Sequence, residues 1–203
     1  MRSPPPWEVL GLLCASAACG SSAPPAAKGA QAPNAPASIA RYLPLQADTV
    51  LAYETRNETT ADQGVLMLQV RRPHAHTVEL DDGGRVQRLQ LDADGVRHST
   101  GGYWLKLPLR VGAKFTGQFG QVTVTKTDRS IEVPAGKFTG CVETLEQDST
   151  GMKQATTVFC PDVGMVSFDV EGTSGTVYNR VSFRLRSYGP KVDISNLPQD
   201  LQR

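Results

Sequence analysis

The segment TVYNRVSFRLRS, Thr176 to Ser187, puts Val177, Val181, Phe183 and Leu185 on one side of an extended backbone. Arg180, Ser182, Arg184 and Arg186 fall on the other side. Successive side chains of a strand point to opposite faces, so this period of two marks a half-buried strand. QVTVTKT repeats the pattern with Val122 and Val124 against Thr123 and Thr125, and VSFDV groups Val166, Phe168 and Val170. VLMLQV, Val65 to Val70, is more uniformly apolar and reads as a strand covered on both faces. Turn signals separate these runs: DDGG from Asp81, ADG from Ala93, STGG from Ser99, DSTG from Asp148 and EGTSG from Glu171. The pattern predicts a mainly all-β domain, a curled antiparallel sheet or half-open barrel. No long stretch has helical period, and the pattern allows only a short helix at the N-terminal edge, near Ala37 to Arg41.

A sheet with one apolar face and no long amphipathic helix to cover it has two outlets. It curls onto itself, or it holds that face against a ligand or partner. Val166, Phe168, Val170, Val177, Val181, Phe183 and Leu185 are the residues expected to line the inner surface, and they form the candidate ligand-binding set.

The N-terminal region has a different character. Arg2 and the amino terminus precede a run of small or apolar residues from Val9 to Ala18. Ten residues are too few to span a bilayer, which takes about 20. They suit the apolar core of a signal peptide over residues 1–18. The run ends in SAAC, Ser16 to Cys19, which resembles the lipobox of bacterial lipoproteins. That resemblance implies a mature protein that begins at a lipidated Cys19, with palmitate among its acyl chains. Ser16 replaces the usual leucine, which leaves room for ordinary cleavage and a soluble secreted or periplasmic product. Gly20 stands where an aspartate would favour inner-membrane retention, so the resemblance points to the outer membrane of the bacterial cell envelope. Two or more acyl chains give stable anchoring where one gives only marginal residence.

GSSAPPAAKGAQAPNAPAS, Gly20 to Ser38, has almost no large apolar side chain and is rich in proline and alanine. Such a stretch buries too little surface to offset its ordering entropy, so residues 19–38 read as lipidated cysteine plus tether. At ~3.1 Å per residue the tether reaches at most roughly 60 Å. Residues 39–188 remain for a single β-rich domain, large enough for one core, and residues 189–203 read as a polar tail. The chain has 21 Lys and Arg against 20 Asp and Glu, a formal charge of +1. That balance gives no electrostatic case for nucleic acid.

Cys141 and Cys160 flank a hairpin centred on Asp148 to Gly151 and lie about equally far from its turn. An exported chain permits their oxidation, so a disulfide is expected, with Cα atoms about 4.4–6.8 Å apart. The spacing is not that of a C-x-x-C redox or metal pair.

Four stretches together resemble an uncharacterised family of bacterial envelope lipoprotein domains. They are YLPLQADTVLAYE from Tyr42, LKLPLRVGAKF from Leu105, IEVPAGKFTGCVETLE from Ile131 and VFCPDVGMVSFD from Val158. VPAGKFTGC and PDVGMV are the most specific of these; Asp48, Leu51 and Phe115 depart from the glycine and tryptophans of the pattern. The resemblance implies a β-rich envelope domain and supplies no activity. Pro134 to Gly136 and Pro161 to Gly164 read as turns. The expected architecture is also similar, more loosely, to lipoprotein-localisation factors that hold acyl chains in a curled sheet.

Candidate chemistry is sparse. His74 and His76 share one face of an extended segment, but a metal site needs a third ligand and His98 is the only other histidine. LDADG at Leu91 lacks the later ligands of a calcium loop and reads as a hairpin turn. The NET at Asn57 matches a glycosylation sequon by pattern alone. No nucleophile elbow, phosphate loop or dinucleotide fingerprint occurs. Arg180, Arg184 and Arg186 with Tyr178 form a cationic stripe that reads first as a solvated face. The sequence therefore predicts a non-catalytic binding or interaction domain without a cofactor. It would be held at the membrane by its lipid and would engage an envelope protein or an apolar ligand. Two alternatives stand beside it: a carrier of a lipid or other apolar ligand in the sheet cavity, and an enzyme with a scattered site.

Overall fold

The computed structural model describes residues 38–174 and 177–191. The signal peptide, Cys19, the tether up to residue 37 and the polar tail from residue 192 lie outside the described residues. After a four-residue helix α1 (Ile39–Tyr42) the described residues form twelve strands. These are β1 (Thr49–Asn57), β2 (Gln63–His74), β3 (Thr77–Asp81), β4 (Val86–Leu91), β5 (Gly95–His98), β6 (Tyr103–Lys106), β7 (Lys114–Thr116), β8 (Gln121–Val133), β9 (Gly136–Gln147), β10 (Lys153–Cys160), β11 (Gly164–Ser174) and β12 (Val177–Pro190). Gly189 and Pro190, assigned to the tail from sequence, belong to β12: they pair with Val50 and Thr49 of β1.

All twelve strands form one antiparallel sheet in the order β6-β5-β4-β3-β2-β1-β12-β11-β10-β9-β8-β7. The expected curled antiparallel sheet is what forms. Each strand neighbours the next in sequence, except that β1 pairs with β12 in the middle of the sheet. The break falls between β6 and β7, the two edges. Curling brings these edges together: the Tyr103 and Phe115 rings lie 6.5 Å apart, edge to face. At Gly102 an added Cβ would lie 1.9 Å from the Gly117 carbonyl oxygen, so this near-closure of the seam requires glycine there.

The core fills the curl. Tyr53, Val70, Val78, Leu89, Val96, Leu105, Phe159, Val166 and Leu185 are buried within it. Its end is covered by α1 with Leu43 and Leu45, and by the tip of the β8–β9 hairpin. That hairpin bends, with register shifts between Val124 and Ile131. Its tip crosses to β12, where the Ala135 amide donates to the Leu185 carbonyl at 2.9 Å. VPAG thus forms the turn predicted for it, and PDVG turns the chain from β10 into β11 with Asp162 at φ 63 and Gly164 at φ 104. Cys141 and Cys160 are joined by a disulfide with Cα atoms 4.2 Å apart, slightly closer than the expected range. The bond sits one residue beyond the last β9–β10 pair, Phe159 with Val142. There β9 leaves β10, so the disulfide pins the root of the bent hairpin.

Two expectations are corrected. Val65 and Met67 are 56% and 58% exposed, so VLMLQV is not covered on both faces. The cause is the face: Leu66, Leu68 and Val70 point to the core, so Val65 and Met67 point outward, where no second layer packs on them among the described residues. Val177 is 56% exposed and lines nothing, because the β11–β12 hairpin carries its tip past the packed body.

Candidate functional site

The rest of the predicted inner set shares one face. Val166 and Leu185 are fully buried in the core. Phe168 stands opposite Phe183, and Val170 opposite Val181, across the β11–β12 ladder. All four are half-buried on the concave side, with the two phenyl rings 5.5 Å apart. The deep residues serve packing, and the shallow four leave an apolar tile partly open to solvent. Phe183→Asp should lower stability by about 0.5–3 kcal/mol, since it removes the ring contact and sets an unpaired charge against apolar neighbours. Urea unfolding of the two proteins measures it.

A separate cleft of about 380 Å³ opens at the covered end of the curl. Leu51, Tyr53, Val70, Trp104 and Met165 form its inner wall, and Leu43 to Ala47 and Tyr188 to Pro190 its rim. This volume lies near the lower end of the roughly 300–1,000 Å³ of small-molecule sites. One polar group on the wall, the Tyr53 hydroxyl, donates to the Met165 carbonyl at 2.9 Å. Burial pushes that phenol well above its ordinary pKa, so it stays protonated. The arrangement can hold an apolar group, and the exposed Asp162 places one carboxylate in its lining.

The cleft was not foreseen from the residue pattern. Leu43 and Leu45 lie in a loop, where no period marks them, and Trp104 sits in the short edge strand β6. The one signal for it is the density of large apolar residues in YLPLQ.

The remaining candidates resolve into structure. His74 and His76 are exposed around the β2–β3 turn, while His98 is buried. The His98 Nδ1 lies 2.7 Å from the Gln87 Nε2, its ring stands 6.0 Å from that of Trp104, and burial pushes its pKa down. Among the described residues no three His, Cys, Asp or Glu side chains converge as metal ligands. In LDADG the Asp92 amide donates to the Gly95 carbonyl at 2.9 Å, closing a hairpin turn. Asn57 accepts the Thr59 and Thr60 amides through its side chain. The arginine stripe is paired with acids: Arg184 with Asp169 at 2.8 Å, Arg180 with Glu58 at 3.6 Å and Arg186 with Glu54 at 3.8 Å. Glu143, buried on β9, is satisfied by Arg129, by Lys126 at 3.3 Å and by the Thr125 hydroxyl at 2.8 Å.

The fold and these surfaces define an all-β protein with an apolar end cleft and a half-open concave face. No family model matches the chain, and no curated protein matches it. Among solved structures it is similar to a Bacteroides fragilis protein described as exported and as having a YmcC-like fold. That likeness has 10% identity over 73% of this chain and 99% of the other, with a TM-score of 0.45. It is also similar to a Parabacteroides distasonis protein described as a lipoprotein, at 12% identity over 73% of this chain and 98% of the other, with a TM-score of 0.43. Neither likeness is close enough to carry a statement about this chain.

Proposed function

We propose that this chain is a bacterial envelope lipoprotein, anchored in the outer membrane through Cys19, whose β domain binds an apolar ligand without catalysis. The observation that carries the binding half is the end cleft, apolar on its inner wall and of ligand size. The anchoring half rests on the apolar run that ends in SAAC. A single long acyl chain, or an apolar side chain of an envelope partner, has the chemistry that suits the wall.

Trp104 makes the binding testable. The chain has two tryptophans, and Trp7 would leave with the signal peptide. Trp104 then reports the cleft alone. Titrating the purified mature chain with a long-chain fatty acid should shift Trp104 emission saturably, and mass spectrometry of the natively purified chain should find an apolar co-purifying species. Unchanged emission together with an empty native preparation removes the ligand reading. For the anchor, Cys19→Ala should leave the precursor unprocessed or release the protein to the soluble fraction. An unmodified N-terminus elsewhere than Cys19, identified by mass spectrometry, removes the anchor from the account.

A further inference from the structure

The end cleft carries charge of one sign. Among its described lining residues Asp162 is the only charged side chain, and no lysine, arginine or histidine joins it. The two basic residues nearest the rim in sequence stay out of the lining. Arg41 lies on α1 before it, and Lys191 lines a separate groove with Val50 and Met67. The inner wall is otherwise apolar, and the Tyr53 hydroxyl is already committed to the Met165 carbonyl.

The backbone fixes where the Asp162 carboxylate stands. The PDVG turn holds Asp162 at φ 63. Its amide donates to the Arg41 carbonyl at 2.6 Å, and the Val163 amide donates to the Cys160 carbonyl at 3.4 Å. The turn is thus tied to α1 on one side and to the disulfide-linked Cys160 on the other. Asp162 is exposed, and among the described residues its carboxylate joins none of the ion pairs that other aspartates make. The exposed Tyr188 adds an aromatic ring to the same rim. The face of such a ring attracts a cation.

These features decide the sign of a ligand's head group. An apolar chain that enters the cleft packs its tail against Leu51, Val70, Trp104 and Met165 and leaves its head at the rim. An anionic head there meets a like charge and no basic side chain to answer it. A cationic head meets a carboxylate and an aromatic ring. We propose that the cleft takes a single-chain cationic amphiphile, an alkyl chain ending in an amine or quaternary ammonium, and that Asp162 selects the head. The inference rests on the reading of the cleft as an apolar-ligand site and adds the charge of the ligand to it. Because Asp162 is exposed, the preference is modest and salt-sensitive.

Trp104 emission of the purified mature chain can be titrated at low salt with dodecyltrimethylammonium and, separately, with dodecanoate, each below its micelle concentration. The cationic amphiphile should bind saturably and about fivefold more tightly. The difference should shrink at about 1 M salt, where the screening length falls to about 3 Å. Asp162→Asn should bring the two affinities together. Asparagine also tolerates a positive φ, so the turn keeps its shape, which circular dichroism checks. Asp128→Asn is the control. It makes the same change of charge at an exposed residue of φ 62 that does not line the cleft, and it should keep the preference. A cationic preference in the unsubstituted chain and in Asp128→Asn, lost in Asp162→Asn, supports the proposal. Equal affinities in the unsubstituted chain, tighter binding of dodecanoate, or a preference that survives Asp162→Asn overturns it and leaves the cleft an apolar site. If neither amphiphile moves Trp104 emission, the apolar-ligand reading fails and this inference falls with it.

Discussion

Phe159→Ala should lower the unfolding free energy by about 3–5 kcal/mol, the range for a large aromatic ring removed from a rigid core. Phe159 has no exposed surface and its ring meets Trp104 edge to face at 6.0 Å. It lies on β10 between the disulfide-linked Cys160 and the Val158 bulge pairing, where β9 and β11 both hold the backbone in place. Neighbours fixed in that way relax poorly into a cavity, so transfer and cavity costs add. Domains of this kind are stable by about 5–15 kcal/mol, so the loss is a large fraction of the total. Urea unfolding followed by far-ultraviolet circular dichroism measures it. Val177→Ala, at the exposed hairpin tip, should change stability by no more than about 0.5 kcal/mol and serves as the control. A Phe159→Ala midpoint equal to that control would mean the ring is not part of a tight core.

Removing the Cys141–Cys160 bond should cost about 2–5 kcal/mol, the usual range for a native disulfide. The closed loop spans 19 positions in sequence, for which the chain-entropy account gives on the order of 3 kcal/mol. The expected effect is also local. The bond clamps the point where β9 departs from β10, so the bent hairpin from Ile131 to Phe138 loses its root. Hydrogen exchange of the Cys141→Ala, Cys160→Ala double variant should show lost protection in that arm, including the Ala135 amide bonded to Leu185, before the β1–β12 ladder is affected. Unfolding midpoints that coincide with and without reductant would contradict the stability effect. Uniform loss of protection across the sheet would contradict the local one.

Several features of this architecture were legible in residue order alone. Strand character followed from period-two alternation, because a pleated backbone places successive side chains on opposite faces whatever lies next to it. The cysteine pairing followed from equal distances to one turn, a relation within a single hairpin. The turns at Pro134 to Gly136 and Pro161 to Gly164 followed from local backbone preference. All of these depend on a few consecutive residues or on two strands joined by a short loop. Tertiary structure decided what depends on distant partners. The β1–β12 pairing closes a circuit between the two ends of the domain and moves the seam to β6 and β7, and no local pattern encodes that choice. The layer packed on each face decided exposure: Val65 and Met67 stand on the outer face, where no described residue covers them, and the overshooting β11–β12 tip bared Val177. The end cleft came from loop residues, Leu43 and Leu45, brought against Trp104 and Met165 by the curl. Alternation states which side chains share a face. Whether that face meets core, cleft or water is set by the neighbour that packs there, and that neighbour lies far away in the chain.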